Sequence, residues 1–188
     1  MFDYISSDLA RKRKYYVRID NFVNKYFKIT FQLGTLAAVW FRFGAWVIGL
    51  SSALLRGVLT PVYVLGETVM SSLSGVHVNP RTPIGRGFVI HNFSTVFIDA
   101  QQIGENFTVN QGASVGPDWR GGKPVVGNNV FVGAGAKVLG GVTVGDNVVI
   151  AANALVERSV PDNCTVAGVP ARVISRQVTS DYMRFTDT

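Results

Sequence analysis

The chain has 188 residues, with 18 Lys plus Arg against 12 Asp plus Glu, 47% hydrophobic and 16% charged residues, one cysteine and two histidines. That size allows one or two compact domains, and the composition is too apolar and too weakly charged for a disordered chain. A lone Cys164 forms no internal disulfide, and two histidines with one cysteine build no Cys/His zinc site, so a reducing, cytoplasmic setting and no bound metal are expected.

The first 74 residues read as a helical segment. Residues 1–70 hold nine basic and four acidic side chains, so the net charge of the chain is concentrated there. The run Arg11-Lys12-Arg13-Lys14 leads into apolar sequence, which points to an anionic membrane surface rather than to nucleic acid, against the simpler alternative of a solvated helix face. Tyr15, Ile19, Phe22, Val23, Tyr26 and Phe27 recur at helical spacing and predict an amphipathic helix. From Ile29 to Gly66 only Arg42 and Arg56 are charged, and they cut the stretch into runs shorter than the roughly 20 residues that cross a bilayer. No conventional spanning helix is expected. Two or three helices, the last broken at Pro61, either bury their apolar faces in an oligomer or bring residues 10–66 to a membrane interface with Trp40 and Trp46 at headgroup depth.

From residue 75 to 175 a six-residue period takes over. Ile84, Ile90, Phe97, Ile103, Val109, Val115, Val126, Val132, Val138, Val144, Ile150 and Val156 mark it, and a Gly or Asn recurs in phase at Asn106, Gly112, Asn129, Gly135, Gly141, Asn147 and Asn153. Gly and Asn tolerate positive φ at least cost. Turns at that interval between short β-rich runs describe a parallel β-helix of about eighteen residues per coil, its first positions stacked in an apolar column. Two slips interrupt the phase: one extra residue between Ile90 and Phe97, and the extruded segment Gly116 to Pro124. Loops on a rigid scaffold are where function concentrates. Residues 176–188 read as a tail.

Ile84-Gly85-Arg86-Gly87, the phased hexads, Val132-Gly133-Ala134-Gly135-Ala136-Lys137-Val138-Leu139-Gly140 and Ala167-Gly168-Val169-Pro170-Ala171-Arg172-Val173 together resemble the serine O-acetyltransferase family. The resemblance implies a mainly β protein with a left-handed parallel β-helix, assembled as a homotrimer or a dimer of trimers. It also implies acetyl-CoA as acyl donor, held between neighbouring coils and a C-terminal loop that here is Gly168, Val169 and Pro170.

Acyl transfer from a thioester to an alcohol needs a base that works near neutral pH, which suits histidine. Of His77 and His91, His91 lies at the first slip, where a side chain leaves the coil, and the family's histidine falls at the same place, so His91 is the expected general base. Stacking by one coil puts Asn110 over His91, and Asp99 lies one face further round; these are the partners offered for orienting the imidazole. The family's orienting aspartate matches His77, a departure. Small residues at Gly133, Ala134, Ala151 and Ala152 suit a wall for the pantetheine arm, with Lys137 and Arg172 as phosphate partners. No acyl-enzyme is expected, since Cys164 sits late in the chain.

Further departures concern the acceptor. The family's aspartate before the histidine matches Ile90, and its Arg-His pair, which resembles a serine carboxylate clamp, matches Gly122-Lys123. Arg120 and Lys123 remain to meet a carboxylate, while Trp119 suits a pyranose face or plugs a subunit contact. The expected reaction is therefore O-acetylation of a surface-polysaccharide sugar or its precursor. The alternative is O-acetylation of free serine. The expected location is the cytoplasm, with the inner membrane face as the alternative.

Overall fold

A computed structural model describes residues 1–15 and 29–176. The helix expected at Tyr15–Phe27 and the tail after residue 176 lie outside the described residues. Among the described residues, the helices α1 (Phe2–Tyr15), α2 (Leu33–Ile48) and α3 (Ala53–Ser74) precede fourteen short strands, β1 (Val76–Val78) to β14 (Arg172–Ser175). The protein is mainly β: a parallel β-solenoid of hexapeptide repeats with an N-terminal helical segment.

The strands form three flat faces. Sheet A runs β1-β3-β6-β9-β12, sheet B β10-β7-β4, and sheet C β14-β13-β11-β8-β5-β2. Every pairing is parallel except β13 with β14, which turns back antiparallel. Each face stacks its own column: Val78, Ile98, Val115, Val138 and Val156 in sheet A, and Ile90, Val109, Val132, Ile150 and Val166 in sheet C. These residues are buried and touch, so each coil contributes the apolar plug that its neighbours need.

One corner is an amide ladder. Asn106, Asn129, Asn147 and Asn163 all have φ of 55–57°. Each donates Nδ2 to the Oδ1 of the next, at 3.0, 2.9 and 2.8 Å. Asparagine is selected there twice, by the left-handed backbone and by the stack.

The column differs from the expected one at one position. In β3 (Val96–Ile98) the inward residues are Val96 and Ile98, while Phe97 points outward and is 40% exposed. Phe97 pairs with Ser114 and Ile98 with Val115, so the first corner holds two extra residues rather than one, with Ser94 and Thr95 both at positive φ.

Half of the basic run is turned inward rather than to solvent, while Arg13 is half-buried and Lys14 exposed. Arg11 and Lys12 are buried, Lys12 to 3% exposure. Among the described residues no strand pairs below the first coil, so its outer backbone groups need other partners. Arg42 donates to the carbonyls of Ile84 and Gly85, both at 2.6 Å, and Arg11 to that of Gly87 at 2.6 Å. Lys12 donates to that of Ile90 at 2.8 Å. The Phe88 amide donates to Asp8 Oδ1 at 2.8 Å, and Asp8 in turn pairs with Arg42 at 2.9 Å. Arg42, read in the sequence as an interruption of an apolar stretch, is thus a buried edge cap.

α3 runs through Pro61 without breaking. A proline costs a helix one hydrogen bond and a clash with the carbonyl four residues back, here that of Gly57. By length and composition α3 is long and apolar enough to cross a membrane, contrary to the expectation, because Arg56 and Glu67 lie within the helix without ending it. α2 and α3 pack closely, since Gly44 receives the ring of Tyr63 and Gly66 the ring of Trp40. Gly75, at φ +64°, closes α3 and starts β1.

Candidate active site

His91 follows β2 (Val89–Ile90), where sheet C turns into sheet A. Its amide donates to the Val109 carbonyl at 2.9 Å, which fixes it to the corner of the next coil. The side chain is half-buried. Burial first, and the charge of nearby Lys12 second, hold the imidazole pKa below the ordinary histidine value. Lys12 is itself lowered to about 8 by burial. A histidine so placed is neutral near neutral pH, the form that accepts a proton. Lys12 escaped the sequence reading because it is about eighty residues away along the chain.

Asn110 stacks at the same corner one coil on, as expected, but its Nδ2 donates to the Val132 carbonyl at 3.1 Å. Asp99 lies on the outer side of sheet A, accepting from Asn79 Nδ2 at 2.8 Å and pairing with Lys123 Nζ at 2.7 Å. Burial works against its charge, yet the hydrogen bonds from Lys123 and Asn79 and the charges of Lys123 and His77 hold its carboxyl below the usual range. The amide of Asn110 and the carboxylate of Asp99 are therefore bound elsewhere than to the imidazole. His77 pairs with Glu67 of α3 at 3.2 Å and stacks on Phe97.

The extruded loop closes on itself through Asp118, which accepts from the amides of Arg120 and Gly121, both at 3.0 Å. Trp119 at its tip is 87% exposed, with the Arg120 guanidinium 4.8 Å from the ring centre. Lys123, expected to be available to a substrate carboxylate, is the loop's anchor to Asp99. A cavity of about 500 Å³ lies between Trp119, Leu139 and Arg158. Another of about 230 Å³, beside Pro170 and Arg172, shares Glu157 and Arg158 with it. Arg158 is thus a cation common to both clefts, missed in the sequence because it sits in no recognisable phrase.

Gly133 stacks so closely on the next coil that a Cβ there would meet the Ala152 amide nitrogen at 2.5 Å. Ala134 accepts from the Asn153 amide at 2.8 Å, so Gly133, Ala134, Ala151 and Ala152 do form a continuous small-residue wall. Lys137 Nζ donates to Gly112 O at 2.7 Å and Ser114 Oγ at 3.3 Å, which leaves one of its three N–H donors for a phosphate. Gly168, at φ +97°, and the cis Val169–Pro170 bond turn the chain back, and the Ala171 amide then donates to Leu155 O at 2.7 Å. Arg172 remains exposed, its Nη1 on the Ala171 carbonyl. Among the described residues no group of three or more His, Cys, Asp or Glu is placed to hold a metal ion.

Residues 123–158 match the family model for the bacterial transferase hexapeptide (six repeats). A serine acetyltransferase of Synechococcus elongatus is 43% identical over 108 residues, 55% of this chain and 44% of that protein. One of Staphylococcus xylosus is 39% identical over 121 residues, 61% of this chain and 56% of that protein. The chain thus spans about half the length of the relatives it matches. A serine acetyltransferase of Brucella abortus solved with coenzyme A superposes with a TM-score of 0.76 at 25% identity, over 94% of this chain and 68% of that one. The repeats and the sheet register thus agree with the family model over residues 123–158, and the β-helix is similar in sequence and fold to that of serine acetyltransferases.

Proposed function

We propose that the protein is an acetyl-CoA-dependent O-acetyltransferase of the serine acetyltransferase type, with free serine as acceptor. The 43% identity to a serine acetyltransferase across the β-helix carries this reading. It favours serine over the polysaccharide sugar expected from the sequence. In this scheme His91 takes the hydroxyl proton as the serine oxygen attacks the thioester carbonyl. The C–S bond then breaks, and the proton passes to the departing thiolate, giving the O-acetyl ester and CoA. Transfer is direct, because the one cysteine, Cys164, is buried in the column. The small-residue wall takes the pantetheine arm, with Gly168, Val169 and Pro170 closing over it. Arg158, Arg172 and Lys137 are the cations that meet the phosphates. The assembly is a homotrimer or a dimer of trimers, with sites between subunits.

A second reading, transfer to a sugar hydroxyl, has its own support. Ile90, directly before His91, points into the core and puts no carboxylate beside the acceptor. Lys123 is engaged by Asp99, and Trp119 offers an exposed ring.

Release of free thiol from acetyl-CoA decides between the two, with L-serine in one arm and hexoses, uronic acids and oligosaccharides in others, wild type beside His91→Ala. Release with serine, abolished in His91→Ala, supports the proposal. Release with a sugar alone moves the acceptor to the second reading, and failure to bind CoA overturns both.

A further inference from the structure

Along the corner that carries His91, each coil's amide donates to a carbonyl of the coil above: His91 to Val109, Asn110 to Val132, Gly133 to Ile150 and Ala151 to Val166. Ile90 is the foot of this column. The amide that would serve its carbonyl from a coil below is replaced by the ammonium of Lys12, at 2.8 Å. α2 closes on the same group, since a Cβ at Gly34 would stand 3.2 Å from Ile90 O. The peptide between Ile90 and His91 is therefore fixed on both sides, by Val109 through its N–H and by Lys12 through its carbonyl.

Capping does not account for the charge. A lone carbonyl needs one N–H donor, which a neutral side chain supplies without the cost of burying an ion. Lys12 is 3% exposed and pairs with no carboxylate among the described residues, because Asp8, four residues earlier on α1, is engaged by Arg42. Burial lowers the Lys12 pKa to about 8, so the ammonium is still charged over the range where a histidine titrates. The other elements around the corner bring no competing charge. Arg42 of α2 is held by Asp8 and by the carbonyls of Ile84 and Gly85. Glu67 of α3 pairs with His77. Asn110 and Gln111 of the next coil are neutral. Among the described residues, Lys12 is the one whose charge acts on the imidazole.

We propose that Lys12 is a positioning residue for the base at His91: its ammonium fixes the peptide that carries the imidazole, and its charge opposes a second positive charge beside it. The imidazole is thereby kept neutral, ready to accept a proton, where an ordinary histidine is already partly protonated. α1, whose Lys12 lies 78 residues before Ile90, belongs to the site as much as the β-helix does. The catalytic part of this role rests on His91 being the general base of acyl transfer. The charge relation does not, and it is read without turnover.

The chain holds two histidines, so NMR titration of the full chain carrying isotope-labelled histidine shows two imidazole signals, assigned by the one lost in His91→Ala. Lys12→Gln keeps an N–H for Ile90 O and removes the charge. In that variant the His91 midpoint moves up toward the ordinary 6.5, and the His77 signal is unchanged. Lys12→Arg keeps the charge and the wild-type midpoint. The wild type gives a second reading that needs no variant to fold: its His91 signal has a further inflection near pH 8, where Lys12 loses its proton. A His91 midpoint unmoved in folded Lys12→Gln overturns the proposal and leaves Lys12 an edge cap alone. So does a wild-type His91 signal with no inflection near pH 8. Both titration effects in a protein that releases no thiol with any acceptor support the charge relation and overturn the acetyltransferase reading.

Discussion

The ammonium of Lys12 donates to the carbonyl of Ile90, 2.8 Å away, and so joins the first helix to the residue immediately before His91. One buried cation thereby closes the edge of the β-helix and sets the charge environment of the candidate base.

Lys12→Met removes that positive charge, so the His91 pKa rises toward the ordinary value. A general base acts in its neutral form, and the rate falls as pH drops through its pKa. The acid limb of kcat/KM for thiol release therefore moves to higher pH in Lys12→Met. An unmoved limb would separate Lys12 from the chemistry.

Lys12 also makes folding depend on pH. Its pKa falls from 10.5 in an ordinary lysine to about 8 in the fold, so between those values the unfolded chain holds the proton and the folded one does not. Stability then rises with pH across that window, by up to about 3 kcal/mol for a shift of this size. Urea unfolding across the window shows the rise in the wild type and loses that share of it in Lys12→Met.

Arg42→Met strips Asp8 of its ion pair and leaves the Ile84 and Gly85 carbonyls without their donor. Breaking a buried pair on one side costs about 3–5 kcal/mol. Adding Asp8→Asn to Arg42→Met costs less than the two separate losses together, as chemical denaturation of the three variants would read.

In the amide ladder, Asn147→Ala puts a residue without asparagine's tolerance of the left-handed region at φ 55° and removes both stack bonds of Asn147. About 1–2 kcal/mol for the left-handed backbone adds to about 1 kcal/mol for each bond. Asn147→Gly keeps the backbone and loses only the bonds, so its melting temperature lies between those of Asn147→Ala and the wild type.

Lys123→Ala tests the acceptor. Where a serine carboxylate is held by this ammonium, the KM for serine rises roughly tenfold, the loss of one charged hydrogen bond, and the KM for acetyl-CoA stays put. A sugar acceptor would leave both unchanged.

The β-helix was legible because its rule is local: an apolar residue every sixth position and a Gly or Asn at each corner can be counted without knowing any contact. The count failed at Phe97, where a corner gained two residues and a second apolar residue, Ile98, stood next to the first. Arg11, Lys12 and Arg42 were misread for a different reason. Their partners are backbone carbonyls, which leave no trace in sequence, on an edge that exists only once the first coil is closed. The corner position of His91 and the stacking of Gly133 on Ala152 could be counted from the phase of the repeat. The commitments of Asn110, Asp99, Lys123 and Lys137 could not, since each bonds to a different coil or loop. A break at Pro61 was expected from local propensity, whereas the helix runs through it, packed on α2.

The capped first coil has a mirror at the other end, where β14 folds back antiparallel on β13. An uncovered solenoid end is a template on which another chain can add strands and extend the stack. With cations plugging one end and a reversed strand covering the other, the ladder has a fixed length. Truncation at either terminus, or neutralisation of the Arg11, Lys12 and Arg42 set, should therefore release fibre growth along the coil axis as well as lowering stability.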